Sequence, residues 1–329
     1  MANLANQSVN PGVAAKAGLT LVRSHTTLRL DLVNGPVLAN QPIGVMPPML
    51  GAYRVLSLLA RGGMGGVYLG EHETTKQRVA LKLLAPRWVE HEPIVQRLLE
   101  EFEVSRRVGH AGLLQILAAE RTADGTPYLV MELLDGENLG DLLDRGAIEP
   151  GAVAAIGAQI ADAVAAMHEA GIVHCDLKPE NVMLLYKDGL AGWPRTKVLD
   201  FGVARMAPDV TTEIAGTPGY MAPEQWRGTA EARSDVYALG CTLYQLLTGA
   251  APFEGSIPSL MQSHCDRLPA PPSSRRAVPE MLDRMIMRML AKDARMRPRM
   301  AEVARMLADL AYAMPPGARN DSIRLAISQ

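Results

Sequence analysis

Short apolar runs alternate with polar or glycine-rich turns between residues 51 and 134. Tyr53–Leu59 and Val67–Glu71 lie on either side of a turn rich in glycine, and a charged turn precedes a third run, Arg78–Leu84. Two further runs, 113–120 and 127–132, flank another polar turn. Apolar runs of this length, bounded by turn residues, are typical of β-strands. The pattern therefore predicts a five-stranded antiparallel sheet.

Apolar positions recur with helical spacing in Glu92–Gly109, in the short stretch Leu139–Asp144, in Pro150–Ala170 and in Met300–Tyr312. Gly171 follows the longest of these stretches, as expected for a helix C-cap. Its apolar stripe, typical of a helix packed in a core, consists of Val153, Ile156, Ile160, Val164 and Met167. The region after residue 135 is predicted to be mainly helical, with one strand pair whose connection, 187–196, forms a surface insertion.

The two ends of the chain differ from this pattern. Residues 1–50 are poor in charge and contain several Pro and Gly turn signals, while Thr26–Val33 alternates apolar and polar residues with the period of a strand. This extension is either a flexible leader or an arm that docks as a strand on the domain or on a partner. Residues 313–329 are predicted to be a short polar tail.

Composition excludes several classes of protein. A formal net charge of -2 over 329 residues gives no indication of nucleic acid as the main partner. The three cysteines are too few and too scattered for a disulfide framework or a zinc site. Neither a signal peptide nor an apolar run long enough to span a membrane is recognisable. We therefore expect a cytoplasmic protein with no membrane span.

The candidate chemistry is concentrated in Gly171–Asn181, which contains Asp176, Lys178 and Asn181. Asp200 follows 19 positions beyond Asn181, directly before Phe201-Gly202. An acid, a cation and an amide on one loop, followed by a second acid, suit metal-assisted phosphoryl transfer. In such a site Asp176 accepts a hydroxyl proton, Lys178 neutralises the moving phosphoryl group, and the other two side chains hold Mg²⁺. Any one of these residues alone would be read as a solvated loop residue.

A lysine in an apolar strand supplies a second candidate. Lys82 lies 17 positions after Gly65 of the glycine-rich turn. Glycines allow backbone N–H groups to approach phosphate oxygens closely, and a lysine on the next strand can reach them. A buried lysine needs an acidic partner. The following helix offers Glu100, Glu101 and Glu103.

These residues resemble the motifs of protein kinases, H-R-D-x-x-x-x-N followed by D-F-G, and the resemblance extends from Tyr53 to Tyr312. Lys178 in Asp-Leu-Lys-Pro-Glu-Asn resembles serine/threonine kinases, and Gly63-Met64-Gly65 with Pro223-Glu224-Gln225 resembles their bacterial eukaryotic-like (Hanks-type) branch. The resemblance implies an α+β fold of two lobes: an N-lobe, residues 51–134, with the sheet and one helix, and a mainly helical C-lobe, residues 135–312.

The resemblance also assigns a nucleotide site and selects Glu101, ahead of Glu100, as the partner of Lys82. ATP and Mg²⁺ are the implied ligands, with Asn181 and Asp200 on the metal. The adenine is expected to hydrogen-bond to the backbone of Glu132 and Leu134. The positions assigned to ATP are Leu59, Ala60, Arg61, Gly62, Gly63, Gly65, Val67, Ala80, Lys82, Met131, Glu132, Leu134 and Met183.

The segment Gly216–Glu224 resembles the P+1 loop and the Ala-Pro-Glu end of a kinase activation segment. The resemblance implies that Thr217 contacts Asp176 and Lys178, and that Glu224 pairs with Arg297. Asp235 is expected to anchor the backbone of the catalytic loop. Glu224, Asp235 and Arg297 therefore have structural roles, whereas Thr211 and Thr212 are candidate autophosphorylation sites.

Two positions depart from the family pattern. Ala60 replaces the first glycine of the glycine-rich loop, and Cys175 replaces the arginine before the catalytic aspartate. Because that arginine normally binds a phosphorylated activation-segment residue, we expect catalysis here not to depend strictly on such phosphorylation. The expected activity is phosphoryl transfer from ATP to Ser/Thr of protein substrates. The alternatives are a kinase-fold scaffold without catalysis and a small-molecule phosphotransferase of related fold.

Overall fold

A computed structural model describes residues 48–62, 65–188, 190–201, 205–206 and 216–314. The candidate strand 26–33, Gly63, Gly202, Thr211 and Thr212 lie outside the described residues. The chain forms an antiparallel sheet with one helix, followed by a mainly helical part, which confirms the two-lobed α+β fold.

The N-lobe sheet has one strand more than the five predicted. In the order β1-β2-β3-β4-β6-β5, neighbouring strands are antiparallel. The extra strand has two residues and lies where the sequence predicted the end of the extension. Its Leu50 is 1% exposed and packs with Val55, Val79 and Tyr128, so burial of one leucine fixes a strand too short to show a period. The strands are β1 (Met49–Leu50), β2 (Tyr53–Gly62), β3 (Gly65–His72), β4 (Arg78–Leu84), β5 (Ile116–Arg121) and β6 (Pro127–Glu132).

Helix α1 (Glu92–Val108) packs on this sheet and buries Val95, Leu98 and Glu101. It ends at Gly109, whose φ of 58° is the left-handed conformation that a helix C-cap requires. The burial of a glutamate beside two apolar residues shows that this face of α1 is not simply a hydrophobic stripe. It directs an acid into the interior of the lobe.

The C-lobe is organised around α3 (Pro150–Glu169), which packs against α4 and α7. It has the length and hydropathy of a membrane span, but 78% of its apolar window is buried within the protein, as expected for a core helix. The C-lobe helices are α2 (Leu139–Leu143), α3, α4 (Ala232–Thr248), α5 (Ile257–Asp266), α6 (Glu280–Met289) and α7 (Met300–Ala313).

In the described part of the C-lobe, five short strands flank the candidate catalytic residues. β10, β9 and β7 form one sheet, and β8 pairs with β11. The connection between β9 and β10 is not purely a surface insertion, because its Trp193 is 3% exposed and packs near Gly151 and Met314. The strands are β7 (Gly136–Asn138), β8 (Ile172–Val173), β9 (Val182–Asp188), β10 (Pro194–Val198) and β11 (Arg205–Met206).

The two lobes are joined beside the site by backbone hydrogen bonds. The Leu114 N–H donates to Val198 O at 2.9 Å, and the Val198 N–H donates to Gly112 O at 2.8 Å. The ammonium of Lys197 contacts Leu113 O and forms an ion pair with Glu132 at the end of β6. The segment after α1 is thus fixed to β10, and Asp200, two residues beyond β10, lies 3.8 Å from Lys82 on β4.

Candidate active site

Lys82 on β4 forms a buried ion pair with Glu101 on α1. Its Nζ lies 2.7 Å and 2.8 Å from the two carboxylate oxygens of Glu101 and 3.8 Å from Oδ1 of Asp200. Lys82 is 9% exposed and Glu101 is 4% exposed, so each charge requires the other. The geometry selects Glu101 rather than Glu100, which is exposed to solvent and contacts Gln96.

Burial and neighbouring charge have opposite effects on the pKa values of Lys82 and Glu101. Burial alone would lower the pKa of Lys82, but the carboxylates of Glu101 and Asp200 outweigh it and raise the pKa, so the amine stays charged. Burial raises the pKa of Glu101 to about 7, although the ammonium of Lys82 opposes this. Ionisation of Glu101 is therefore sensitive to pH near neutrality.

Asp235 on α4 holds the backbone of the catalytic loop. Its Oδ2 accepts from the His174 N–H and its Oδ1 from the Cys175 N–H, both at 2.9 Å, and His168 Nε2 lies 2.8 Å from Oδ2. These contacts fix a strained backbone, because Cys175 has a φ of 68°, a conformation that few residues other than glycine adopt. The structure therefore places Asp235 where the sequence predicted it.

Asp176 is surrounded by three polar side chains. Thr217 donates to its Oδ1 at 2.7 Å, and Lys178 Nζ lies 2.9 Å from Oδ2 and 2.6 Å from Thr217 Oγ1. Asn181 Nδ2 donates to the Asp176 carbonyl at 2.9 Å and approaches Oδ2 at 3.3 Å. The Asp176 carboxylate is thus held in one orientation.

Asn181 and Asp200 suit a Mg²⁺ ion. The Leu199 N–H donates to Asn181 O at 2.8 Å, which places Asp200 next to the catalytic loop. Because Asn181 uses its amide nitrogen toward Asp176, its side-chain oxygen is the group left to act as a ligand. One amide oxygen and one carboxylate are the kind of incomplete oxygen set that Mg²⁺ takes together with waters and phosphates. Within the described ranges, no group of three or more His, Cys, Asp or Glu side chains forms a metal site.

A cleft open to solvent lies between the lobes, next to Lys82 and Asp200. Its predicted lining residues are Val67, Ala80, Lys82, Met131, Glu132 and Leu134. Sequence reasoning missed Leu114 and Leu199 on the same wall; Leu199 could have been found from its place directly before Asp200. Glu101 and Asp200 complete the lining.

Several residues assigned to ATP do not line this cleft. Arg61 is exposed and Leu59 is partly buried against the core, while the methyl group of Ala60 is buried in the core cluster. Met183 is 1% exposed and packs beneath the cleft with Leu134 and Leu199, so it supports the wall without forming it.

Gly65 is required by packing as well as by any approach to phosphate. A Cβ on Gly65 would lie 2.0 Å from the carbonyl oxygen of Leu83 on the neighbouring strand. Gly62 pairs with Gly65 across β2 and β3, directly before the turn. The close approach of β3 to β4 at Leu83 therefore requires glycine at position 65.

The partly buried Glu224 and the fully buried Arg297 form a second ion pair, at the end of the activation segment. The two Nη atoms lie 2.6 Å and 3.0 Å from the carboxylate oxygens, and the Arg297 side chain is 0% exposed. Arg297 also donates to the carbonyls of Arg233, Ala291 and Lys292. The pair fixes the Glu224 end of the segment Gly216–Glu224.

Cys175 is 4% exposed and its backbone is tied to this segment. Gln225 donates to Cys175 O at 2.8 Å and accepts from the Ala222 N–H at 2.9 Å. A neutral amide thus connects the catalytic loop to residues 222–225, without the charge of the arginine that the family pattern has at position 175.

Comparisons with known proteins agree with this geometry. Residues 53–307 match the protein kinase domain family. The chain is 42% identical to serine/threonine-protein kinase Pkn1 of Myxococcus xanthus over 250 residues, 74% of this chain and 36% of that protein. It is 35% identical to serine/threonine-protein kinase PknB of Mycobacterium leprae over 277 residues, 80% of this chain and 43% of that protein.

The chain therefore spans between about a third and a half of the length of these relatives. The matched residues contain both lobes and all the side chains described around Asp176 and Lys82. From the family match, the relatives and the two-lobed fold, the chain belongs to the protein kinase domain family, in its bacterial Hanks-type serine/threonine branch.

Proposed function

We propose that this chain transfers the γ-phosphoryl group of ATP to Ser and Thr hydroxyls of protein substrates, including its own. The observation that supports this most is the set of contacts around Asp176, whose carboxylate is oriented by Thr217, Lys178 and Asn181. An oriented carboxylate beside a cation suits a reaction in which a proton leaves a hydroxyl while negative charge moves between oxygens.

In the proposed reaction the substrate hydroxyl oxygen forms a bond to the γ-phosphorus, the bond to the ADP oxygen breaks, and the hydroxyl proton passes to Asp176. Lys178 lies 2.9 Å from Asp176 and neutralises charge on the transferred group. Lys82, oriented by Glu101, binds the other phosphates. Mg²⁺, held by Asn181 and Asp200, would supply charge neutralisation on the phosphate oxygens.

The cleft suits the remainder of ATP. Val67, Ala80 and Leu199 offer apolar surface for a planar base, and Met131 limits the depth. Because the Glu132 N–H already donates to Gln115 O at 3.0 Å, recognition of adenine at this residue would use its carbonyl. The free thiols of the chain suit a reducing compartment such as the cytoplasm. We propose that the reaction takes place there and serves in signalling.

Phosphate transfer with Mg²⁺ and ATP tests the proposal. The chain is incubated with mixed Ser, Thr and Tyr peptides and, separately, with small hydroxyl-bearing metabolites, and phosphate is located by mass spectrometry. We expect phosphate on Ser and Thr of the peptides and of the chain itself. Phosphorylated metabolites alone would indicate a small-molecule phosphotransferase. Nucleotide binding without phosphate transfer would indicate a kinase-fold scaffold. The burial of Ala60 in the core does not by itself favour that alternative.

A further inference from the structure

A buried glutamine connects the end of the activation segment to the catalytic loop. Gln225 is 3% exposed, and its side-chain Nε2 donates to Cys175 O at 2.8 Å. Its Oε1 accepts from the Ala222 N–H at 2.9 Å. The backbone N–H of Gln225 also donates to Ala222 O at 2.9 Å, so the two residues are bonded in both directions. The glutamine side chain is therefore held at both of its polar atoms.

The two partners determine the orientation of this amide. A backbone N–H can only donate and a backbone carbonyl can only accept, so Oε1 must face Ala222 and Nε2 must face Cys175. In the opposite orientation like groups would face each other, and a buried polar group is costly to leave unpaired. A side chain at position 225 therefore needs one donor and one acceptor, which glutamine supplies on a single amide.

The carbonyl that Gln225 binds belongs to the peptide group between Cys175 and Asp176. The nitrogen of the same peptide group, the Asp176 N–H, donates to His174 Nδ1 at 3.3 Å. Asp235 accepts from the two preceding N–H groups. Because the φ of 68° at Cys175 is uncommon for a residue other than glycine, this backbone depends on the surrounding bonds to persist. Gln225 supplies one of them, at the peptide group next to the candidate base.

The other end of the same segment reaches this carbonyl through Gly216. A Cβ on Gly216 would lie 3.0 Å from Cys175 O and 3.3 Å from Gln225 Nε2, and its φ of 123° favours glycine. The next residue, Thr217, donates to Asp176 Oδ1 at 2.7 Å. The segment Gly216–Glu224 and the residue after it therefore hold both the carboxylate of Asp176 and the peptide group that precedes it.

We propose that Gln225 is a positioning residue for Asp176. Its amide fixes the Cys175–Asp176 peptide group against the activation segment, so that the carboxylate of Asp176 meets the hydroxyl of Thr217. Because neither bond of the amide involves a charged group, this arrangement does not depend on a phosphorylated residue. The inference rests on the proposed function, since the orientation of Asp176 affects a rate only if this carboxylate takes part in phosphoryl transfer.

Two variants separate the two bonds of the amide. Gln225→Met retains the length of the side chain and loses both bonds, whereas Gln225→Glu retains the acceptor for Ala222 and changes the group that faces Cys175 O. The exposed Gln96 on α1 offers matched controls, Gln96→Met and Gln96→Glu. All proteins are treated with phosphatase before the assay, so that no phosphorylated residue contributes. Thermal unfolding is measured on each variant.

We expect Gln225→Met to lower the single-turnover rate of transfer to a seryl peptide about tenfold, or about 1.4 kcal/mol in activation free energy. ATP affinity and both Gln96 variants should stay within about twofold of wild type. In a Thr217→Val background the same change should cost less than about threefold, because both residues act through the orientation of Asp176. A wild-type rate in Gln225→Met, a parallel loss of ATP affinity or additive losses with Thr217→Val would overturn the proposal.

Gln225→Glu adds a readout that depends on pH. The ratio of its transfer rate to that of wild type should fall as the pH rises, because the new carboxyl group then loses the proton that it donates to Cys175 O. Taking the ratio removes the effect of titrating groups present in both proteins, such as Glu101. A ratio that does not change with pH would contradict the proposal. Should Gln225→Met be unfolded, Gln225→Glu, which retains the bond to Ala222, supplies the rates.

Amide hydrogen exchange tests the bond without any activity. In Gln225→Met the N–H groups of Asp176 and Ala222 should both exchange faster than in wild type, and in Gln96→Met neither should. Unchanged exchange at Asp176 would overturn the proposal. A wild type that shows these exchange differences but phosphorylates no peptide would contradict the proposed function instead.

Discussion

Replacing Glu101 by Gln isolates the charge that orients Lys82. The variant retains a hydrogen-bond acceptor at nearly the same volume but removes the carboxylate that contacts Nζ at 2.7 Å and 2.8 Å. Asp200, at 3.8 Å, remains as the second anion and lessens the loss. A hydrogen bond to a charged group contributes about 1.5–3 kcal/mol. Taking about 2–3 kcal/mol, kcat/KM for ATP should fall about 30- to 150-fold.

Glu100→Gln is the matched control, because it makes the same change one residue earlier on an exposed part of α1. Steady-state phosphorylation of a seryl peptide at varied ATP concentration gives kcat/KM for ATP in both variants, and thermal unfolding shows that each variant is folded. We expect Glu100→Gln to remain within twofold of wild type. A Glu101→Gln variant with wild-type kcat/KM, or an equally impaired Glu100→Gln, would refute the reasoning.

The pKa of Glu101 adds a pH signature to the same experiment. Because burial raises this pKa to about 7, kcat/KM for ATP should fall as the pH decreases through 7, and this decrease should be absent in Glu101→Gln. The dependence of stability on pH has the opposite direction. Between about pH 4.5 and 7, Glu101 binds a proton in the folded state but not in the unfolded state. The contribution of Glu101 to the free energy of unfolding is therefore lost as the pH rises. If kcat/KM for ATP decreases at acidic pH in Glu101→Gln as it does in wild type, another group is responsible for the decrease.

Three further outcomes follow from the activation segment. Thr217→Val removes the hydroxyl that bridges Asp176 and Lys178, so kcat for the seryl peptide should fall about tenfold or more, with the affinity for ATP unchanged; an unaltered kcat would contradict this. The double variant Thr211→Ala/Thr212→Ala should retain more than about a tenth of wild-type kcat, whereas a hundredfold loss would show that loop phosphorylation is required. Glu224→Gln leaves the buried Arg297 charge without its carboxylate and should cost about 3–5 kcal/mol in the free energy of unfolding, measured by urea titration; a change below about 1 kcal/mol would indicate that the pair is solvated.

The sequence predicted most of the polar centre, because its chemistry is confined to short motifs. Asp176, Lys178 and Asn181 lie on one loop, so their spacing alone restricts where they can be. Lys82 and Glu101 are farther apart, and only the burial expected for a lysine in an apolar strand connects them. Residue type and spacing left Glu100, Glu101 and Glu103 open as partners of Lys82, and the resemblance to protein kinases selected Glu101.

The remainder depends on packing between distant segments, for which no local pattern exists. Leu114 forms a wall of the cleft only because the segment after α1 is bonded to β10. The sequence predicted that Trp193 lies in an exposed insertion, but in the fold α3 and the end of α7 enclose its side chain. His264 has no motif spacing, and only the fold places its ring beside the hydroxyl of Tyr237.

The central claim is that oriented side chains around Asp176 carry out phosphoryl transfer. The most direct test is single-turnover transfer of the γ-phosphoryl group from Mg²⁺-bound ATP to a seryl peptide by wild type and by Asp176→Asn, with ATP affinity measured on the same preparations. A positioned general base contributes about 10²–10⁴-fold, so we predict a loss of at least about a hundredfold in the transfer rate with ATP affinity within about threefold of wild type. An Asp176→Asn variant that transfers phosphate at the wild-type rate would contradict the account.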